Sequence, residues 1–194
     1  MPRLLAIAGP NGSGKSVITA RIELVGKYVN ADDIKRQLGC SDLDAAKTAE
    51  ATREYLLKNK EDFSFETVLS TMRNIDLMRR AKESGFYVAC IYILTKSPDI
   101  NVERVKNRAK NGGHDVSEEK IRTRFIRSVR LIPRLFEICD ELYIYDNSIN
   151  TPAGSGYLLV EYKKGLPILF PNSIWSIEMI SSLIRGEYAD EYLS

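Results

Sequence analysis

The chain has 194 residues, 44% of them apolar and 28% charged, with a formal net charge of +2. At this length a single compact domain, residues 1–194, is expected, and the composition excludes a disordered, collagen-like or coiled-coil chain. The longest uncharged apolar stretch, residues 85–95, is far short of the ~20 residues that cross a bilayer, so no membrane span is expected.

Arg3–Ala8 is an apolar run ending in a glycine turn and predicts a buried strand. Residues 15–25 predict a helix, and 27–30 a second short strand. A long helix is expected over 42–60, with Leu43, Ala46, Ala49, Ala51, Tyr55 and Leu56 as its apolar positions. Residues 63–69 predict a strand, after which Ser70 or Thr71 caps a helix running to about 83. Residues 86–94 are too continuously apolar for a sheet with one wet face and predict a central parallel strand. Helices follow over 99–110 and 117–139, separated by Asn111-Gly112-Gly113-His114, and Pro133 is expected to kink or break the second. A strand at 141–145, a hairpin of 157–163 and 166–170 across Lys164-Gly165, and a helix over 172–184 complete the chain. Strands alternating with helices imply a three-layer, doubly wound α/β domain with a mainly parallel sheet.

Charge is unevenly spread. Residues 96–134 carry 11 basic and 5 acidic side chains, and residues 135–194 carry 3 basic and 9 acidic. The middle block offers either a phosphate-binding surface or a solvated helix face. Cys40, Cys90 and Cys139 share no metal-ligand spacing and no secretory signal opens the chain, which predicts buried free thiols and a cytoplasmic location.

The strongest motif is Gly9-Pro10-Asn11-Gly12-Ser13-Gly14-Lys15-Ser16, which satisfies G-x-x-x-x-G-K-[ST] between a strand and a helix. In that context the glycines turn backbone N–H groups inward around phosphates, and the helix N-terminus adds its positive end. Lys15 supplies a point charge for the β- and γ-phosphates, and the Ser16 hydroxyl can ligate Mg²⁺. The loop predicts binding of a nucleoside triphosphate, ATP above all. An L-S-G-G-Q-like signature and a hydrophobic strand ending in Asp-Glu are missing, and the N-K-x-D match, Asn59-Lys60-Glu61-Asp62, precedes a strand instead of following one. That leaves a small-kinase arrangement, in which an acceptor hydroxyl and a basic lid, residues 96–134, complete the site.

Asn30-Ala31-Asp32-Asp33 ends the second strand, at the sheet edge where α/β proteins bind ligands. A carboxylate there either takes a proton from an attacking hydroxyl or caps the following helix. Glu66, near the end of an apolar strand, needs a specific partner, whether a substrate hydroxyl, a backbone group or an arginine. Arg104 and Arg108 share one helix face, and Arg124, Arg127, Arg130 and Arg134 form a second basic stripe. Two or three of the six are expected on phosphate, where the planar guanidinium engages oxygens bidentately. His114 lies in the glycine hinge and reads as structural.

Taken together, the glycine-rich loop, Asn30-Ala31-Asp32, Phe65-Glu66-Thr67, Gly112-Gly113-His114 and the stretch Ile121-Arg122-Thr123-Arg124-Phe125-Ile126-Arg127-Ser128 resemble the zeta toxin family of P-loop kinases. They are most similar to its short bacterial branch, often called predicted ABC-type ATPase, from about Leu4 to Ser148. The resemblance implies a P-loop NTPase fold and Asp32 as catalytic base. It also implies Glu66 and Thr67 at the acceptor sugar, with lid arginines, drawn from Arg104, Arg108, Arg124 and Arg127, on the transferring phosphoryl group. It implies ATP and Mg²⁺, a nucleotide-sugar acceptor such as UDP-N-acetylglucosamine, and a small antitoxin that covers the ATP site. Two other readings stand beside it: an ATPase or regulatory module without an acceptor, and a kinase of nucleic-acid ends. A bare switch needs neither Asp32 nor Glu66, and nucleic acid would want aromatics among the arginines, where only Phe125 lies near.

Overall fold

The structure is a computed structural model and describes residues 1–113, 115–149, 156–163 and 165–192. The expectations for His114 and Lys164 lie outside the described residues. The strands are β1 (Arg3–Ala8), β2 (Lys27–Val29), β3 (Phe63–Thr67), β4 (Tyr87–Leu94), β5 (Glu141–Asp146), β6 (Tyr157–Lys163) and β7 (Leu166–Leu169). They form one sheet in the order β2-β3-β1-β4-β5-β6-β7. The first five are parallel, and β6 and β7 add an antiparallel hairpin at the edge.

The helices are α1 (Lys15–Thr19), α2 (Ala31–Leu38), α3 (Asp42–Lys58), α4 (Met72–Glu83), α5 (Pro98–Lys110), α6 (Glu118–Arg130), α7 (Ile132–Ile138) and α8 (Ile177–Arg185). β4 lies between β1 and β5, as its unbroken apolar run requires. Its Val88, Cys90, Tyr92 and Leu94 face the main core, while Ala89, Ile91 and Ile93 face a smaller cluster with Leu5, Ile7 and Ile18. Both faces of the sheet are therefore covered, but unequally. The result is a P-loop NTPase fold.

Several boundaries differ from the sequence expectation, each for a tertiary reason. The helix expected over 15–25 ends at Thr19. Beyond it, Ser64 of β3 takes both polar groups of Val25: its hydroxyl accepts from the Val25 N–H and donates to the Val25 carbonyl, each at 2.7 Å. The helix over 117–139 breaks at Leu131, and Pro133 sits in the first turn of α7, where its missing N–H has no helical partner to lose. The helix expected from 172 begins at Ile177, because Asn172 turns the chain by accepting from the N–H groups of Ile174 and Trp175. Thr71 holds the N-cap position of α4 without a side-chain capping bond. In α3 the buried face is Ala45, Ala49, Arg53, Leu56 and Leu57, whereas Leu43 and Tyr55 are exposed. Ala46 and Ala51 are exposed as well, and Arg53, which the expected apolar positions leave out, is buried and lies over the Phe65 ring at 5.3 Å. Cys90 and Cys139 are buried, but Cys40 is only half-buried.

The C-terminal turn, Tyr188–Tyr192, ties down the base of the lid. The Tyr188 and Tyr192 hydroxyls both donate to the Lys96 carbonyl at 2.7 Å, and Tyr192 packs edge-on against Phe125 of α6. Arg130 of α6 also pairs with Asp190 at 2.6 Å. Among the described residues no helix is long and apolar enough to cross a membrane.

Candidate active site

The carboxyl ends of β1, β2 and β3 open into one cavity of about 800 Å³. Asn11, Gly12, Gly14, Lys15 and Ser16 of the loop after β1 line it, together with Asn30, Ala31 and Asp32 after β2 and Glu66 and Thr67 at the end of β3. Arg104, Arg108, Lys120 and Arg124 of α5 and α6 line it as well.

Gly9 has a φ of +143°, and a Cβ there would fall 2.0 Å from the Ile93 carbonyl oxygen of β4. Gly14, at φ +95°, would place a Cβ 2.2 Å from the Asn147 amide nitrogen. Only glycine satisfies both the backbone angle and the close approach. Gly9→Ala is expected to destabilise the protein by about 1–3 kcal/mol through backbone strain and to weaken ATP binding. Thermal unfolding and ATP titration of the same sample check both effects.

Other elements hold the loop from outside. Asn101 of α5 is fully buried, accepts from the Thr95 hydroxyl and donates to the Asn11 carbonyl at 2.5 Å. Asn147, after β5, donates to the Ser13 carbonyl at 2.8 Å, and Arg124 donates to the Asn11 side-chain oxygen at 3.3 Å. Asp146 is buried, its carboxyl pKa raised by burial, and accepts from the Ser148 N–H at 3.0 Å and from the Ser148 hydroxyl. It thereby shapes the turn that carries Asn147. Sequence reasoning missed Asn101 altogether, while Asn147 lies one residue inside the Ser148 limit of the family resemblance.

Lys15 donates to the carbonyls of Gly9 at 2.7 Å and Pro10 at 3.0 Å. Burial lowers its pKa to about 8, with Glu66 and Asp32 opposing that shift and Arg108 adding to it. An ammonium so held lacks an anion of its own and suits an incoming phosphate. Ser13 Oγ is buried without a hydrogen-bond partner among the described residues, a second sign that the loop awaits a polar guest.

Asn30 caps α2: its side-chain oxygen accepts from the Asp32 N–H at 2.8 Å. The capping role offered to Asp32 or Asp33 is thus already filled. Asp33 pairs with Arg36 on the outer face, while Asp32 faces the cavity. The partners of Glu66 are neither backbone nor arginine. Its Oε1 accepts from the Thr19 hydroxyl at 2.7 Å and the Tyr28 hydroxyl at 2.8 Å. Thr67 lines the cavity, but its oxygen also holds the turn into α4, accepting from the Leu69 N–H at 2.9 Å and Asn74 Nδ2 at 2.7 Å.

The lid arginines divide. Arg104, Arg108 and Arg124 reach the cavity, and Lys120, which sequence reasoning overlooked, joins them. Arg127 is exposed, one turn further along α6, and is not among the lining residues. Arg130 and Arg134 pair with Asp190 and Glu137 on the surface. Gly113 closes against Arg108, where a Cβ would fall 2.6 Å from Arg108 Cγ. The cavity therefore gathers five cations, Lys15, Arg104, Arg108, Lys120 and Arg124, with the carboxylates of Asp32, Asp42, Glu66 and Asp115.

A family model described as zeta toxin matches residues 28–151. An uncharacterised protein of Haemophilus influenzae is 34% identical over 123 residues, covering 60% of this chain and 88% of that protein. Among solved structures, the AvrRxo1-ORF1:ORF2 complex aligns with TM-score 0.70 at 16% identity, covering 98% of this chain and 66% of that one. The chain thus spans just under two thirds of that protein's length. A related structure is described as holding ATP, with TM-score 0.70 at 17% identity, covering 96% of this chain and 64% of that one. The PezAT toxin-antitoxin system of Streptococcus pneumoniae aligns with TM-score 0.55 at 15% identity, covering all of this chain and 88% of that one.

Proposed function

We propose that this chain, which belongs to the zeta toxin family, transfers the γ-phosphoryl group of ATP to a hydroxyl of a nucleotide sugar such as UDP-N-acetylglucosamine. One observation carries the reading: the glycine-rich loop, Asp32 and Glu66 line a single cavity. A nucleotide switch without an acceptor requires only the loop.

In this reading the loop N–H groups and Lys15 grip the β- and γ-phosphates. Asp32 accepts the proton of the acceptor hydroxyl as its oxygen attacks phosphorus, and the bond to the β-phosphate oxygen breaks. Glu66 orients the acceptor through its sugar hydroxyls, with Thr67 beside it. Arg104, Arg108 and Arg124 meet the charge that spreads over the transferring oxygens. The donor set in the cavity is hard oxygen, the type Mg²⁺ takes, and the Ser16 hydroxyl is the group that would hold it. Such an ion would supply charge neutralisation for the phosphates, with Ser16 as the residue of this chain that would hold it.

Residues 1–194 act as one domain here, with the lid at 96–134, in the cytoplasm and without nucleic acid. A small antitoxin covering the ATP site is the partner that family membership favours, and the PezAT system carries such a pair in its name. Incubation with Mg-ATP and a pool of nucleotide sugars should yield a sugar nucleotide one phosphoryl group heavier by mass spectrometry. Hydrolysis of ATP without any such product would overturn the kinase reading. Arg124→Ala is expected to lower kcat by on the order of 10²-fold with little change in stability, and Arg127→Ala far less. Steady-state kinetics of the two variants side by side measures the difference.

A further inference from the structure

Tyr28 does not line the cavity, yet it joins two residues that do. Its hydroxyl donates to Glu66 Oε1 at 2.8 Å and accepts from Asn30 Nδ2 at 2.9 Å. The Asn30 side-chain oxygen then accepts from the Asp32 N–H at 2.8 Å. Three hydrogen bonds in series thus run from the backbone of Asp32 to the carboxylate of Glu66.

The direction of this chain is fixed at both ends. The Asp32 amide can only donate, and a carboxylate can only accept. Flipping the Asn30 amide would set its NH₂ against the Asp32 N–H and would draw the Tyr28 proton away from Glu66. Each link therefore enforces the next. Burial of Tyr28, partly opposed by Asn30 and reinforced by Glu66, raises the phenol pKa, so the hydroxyl keeps the proton that the chain requires.

We propose that Tyr28 is a positioning residue that fixes Asp32 relative to Glu66, and so sets where an acceptor hydroxyl must lie to be both oriented and deprotonated. This rests on the kinase reading above for its consequence, but the linkage itself is a property of the folded chain. β2 is a three-residue edge strand and α2 buries no residue completely, with Ala31 and Ile34 packed only in part against the core, so packing alone holds the end that bears Asp32 loosely. The side-chain chain supplies the missing one, while the phosphate-binding loop lies outside it.

The test uses Tyr28→Phe and Asn30→Asp in the full-length protein. Asn30→Asp keeps a good capping oxygen for the Asp32 N–H. It removes the donor to Tyr28 and substitutes an acceptor that competes with Glu66 for the phenol proton. Each variant should lose about 10-fold or more in kcat/KM for the acceptor, the scale of one hydrogen bond to a charged group. In Tyr28→Phe, which adds no charge and lies outside the cavity lining, ATP affinity and melting temperature should stay close to wild type. The double variant should be no worse than either single variant, because the two interrupt the same chain. In nuclear magnetic resonance spectra of the nucleotide-free protein, the Asp32 amide signal should shift in Tyr28→Phe. Unchanged acceptor kinetics in Tyr28→Phe, additive losses in the double variant, or an unmoved Asp32 amide would each overturn the proposal. A wild type that phosphorylates no acceptor would instead sink the kinase reading, and the amide measurement would then decide this one alone.

Discussion

Replacing Lys15 with alanine is expected to leave a folded protein with no measurable ATP turnover. The burial that lowers the Lys15 pKa to about 8 indicates that its charge is held at a cost in the nucleotide-free protein. Its bonds there go only to the carbonyls of Gly9 and Pro10, which the loop can re-solvate once the side chain is gone. Deleting it therefore takes little from the fold. Arg104, Arg108 and Arg124 also line the cavity, but they stand on α5 and α6, so none takes the place of a cation carried by the loop itself. Loss of one preorganised charge at the reacting group is worth on the order of 10²–10³-fold, and here ATP affinity falls as well. Turnover near wild type in a well-folded Lys15→Ala protein would overturn the assignment of the nucleotide site.

Asp32→Asn separates transfer from binding. A positioned general base contributes about 10²–10⁴-fold, so phosphoryl transfer to the acceptor should fall by that amount. The cap of α2 belongs to Asn30, and the bond at position 32 is made by the backbone N–H, which the substitution retains. Lys15, Ser16 and the loop amides are untouched, so ATP affinity should change little. Product formation and ATP titration on one sample read both quantities. Transfer that survives with normal folding and ATP binding would remove Asp32 from the chemistry and leave Glu66 as the next carboxylate to test.

The glycine-rich loop was legible in the sequence because its function is a local backbone shape, carried by contiguous residues. Asp32 and Glu66 were legible through their place at strand ends, which topology brings to one edge. What escaped was whatever depends on a distant partner. α2 is eight residues long and its stripe is only Ala31, Ile34 and Leu38, none fully buried, too short to stand out in the sequence. The early end of α1 reflects the grip of Ser64 on Val25, 39 residues away. Arg127 and Arg124 look alike as entries in a basic stripe, and only their positions along α6 relative to the cavity separate them. Lys120 was overlooked because it stands before the arginine run. Tyr28 went unnamed within the strand expected at 27–30, since its links to Glu66 and Asn30 run through one hydroxyl and not through its ring.

The seams at the lid base have a mechanical meaning. α5 is stitched to the loop by Asn101, and Arg104 donates to the Ser148 carbonyl at 3.3 Å. α6 is tied at its far end by Asp190 and Tyr192. Each helix has 13 residues, which makes an arm of about 20 Å, anchored at the end nearest the sheet. A rotation of roughly 10° about that end would carry the tips by about 3–4 Å while moving the base hardly at all. Arg104, halfway along α5, would move about half as far, whereas Arg108 and Lys120, nearer the tips, would travel almost the full distance. Such a swing would bring the outer cations inward while the Asn101 bond at the base of α5 kept its hold on the loop.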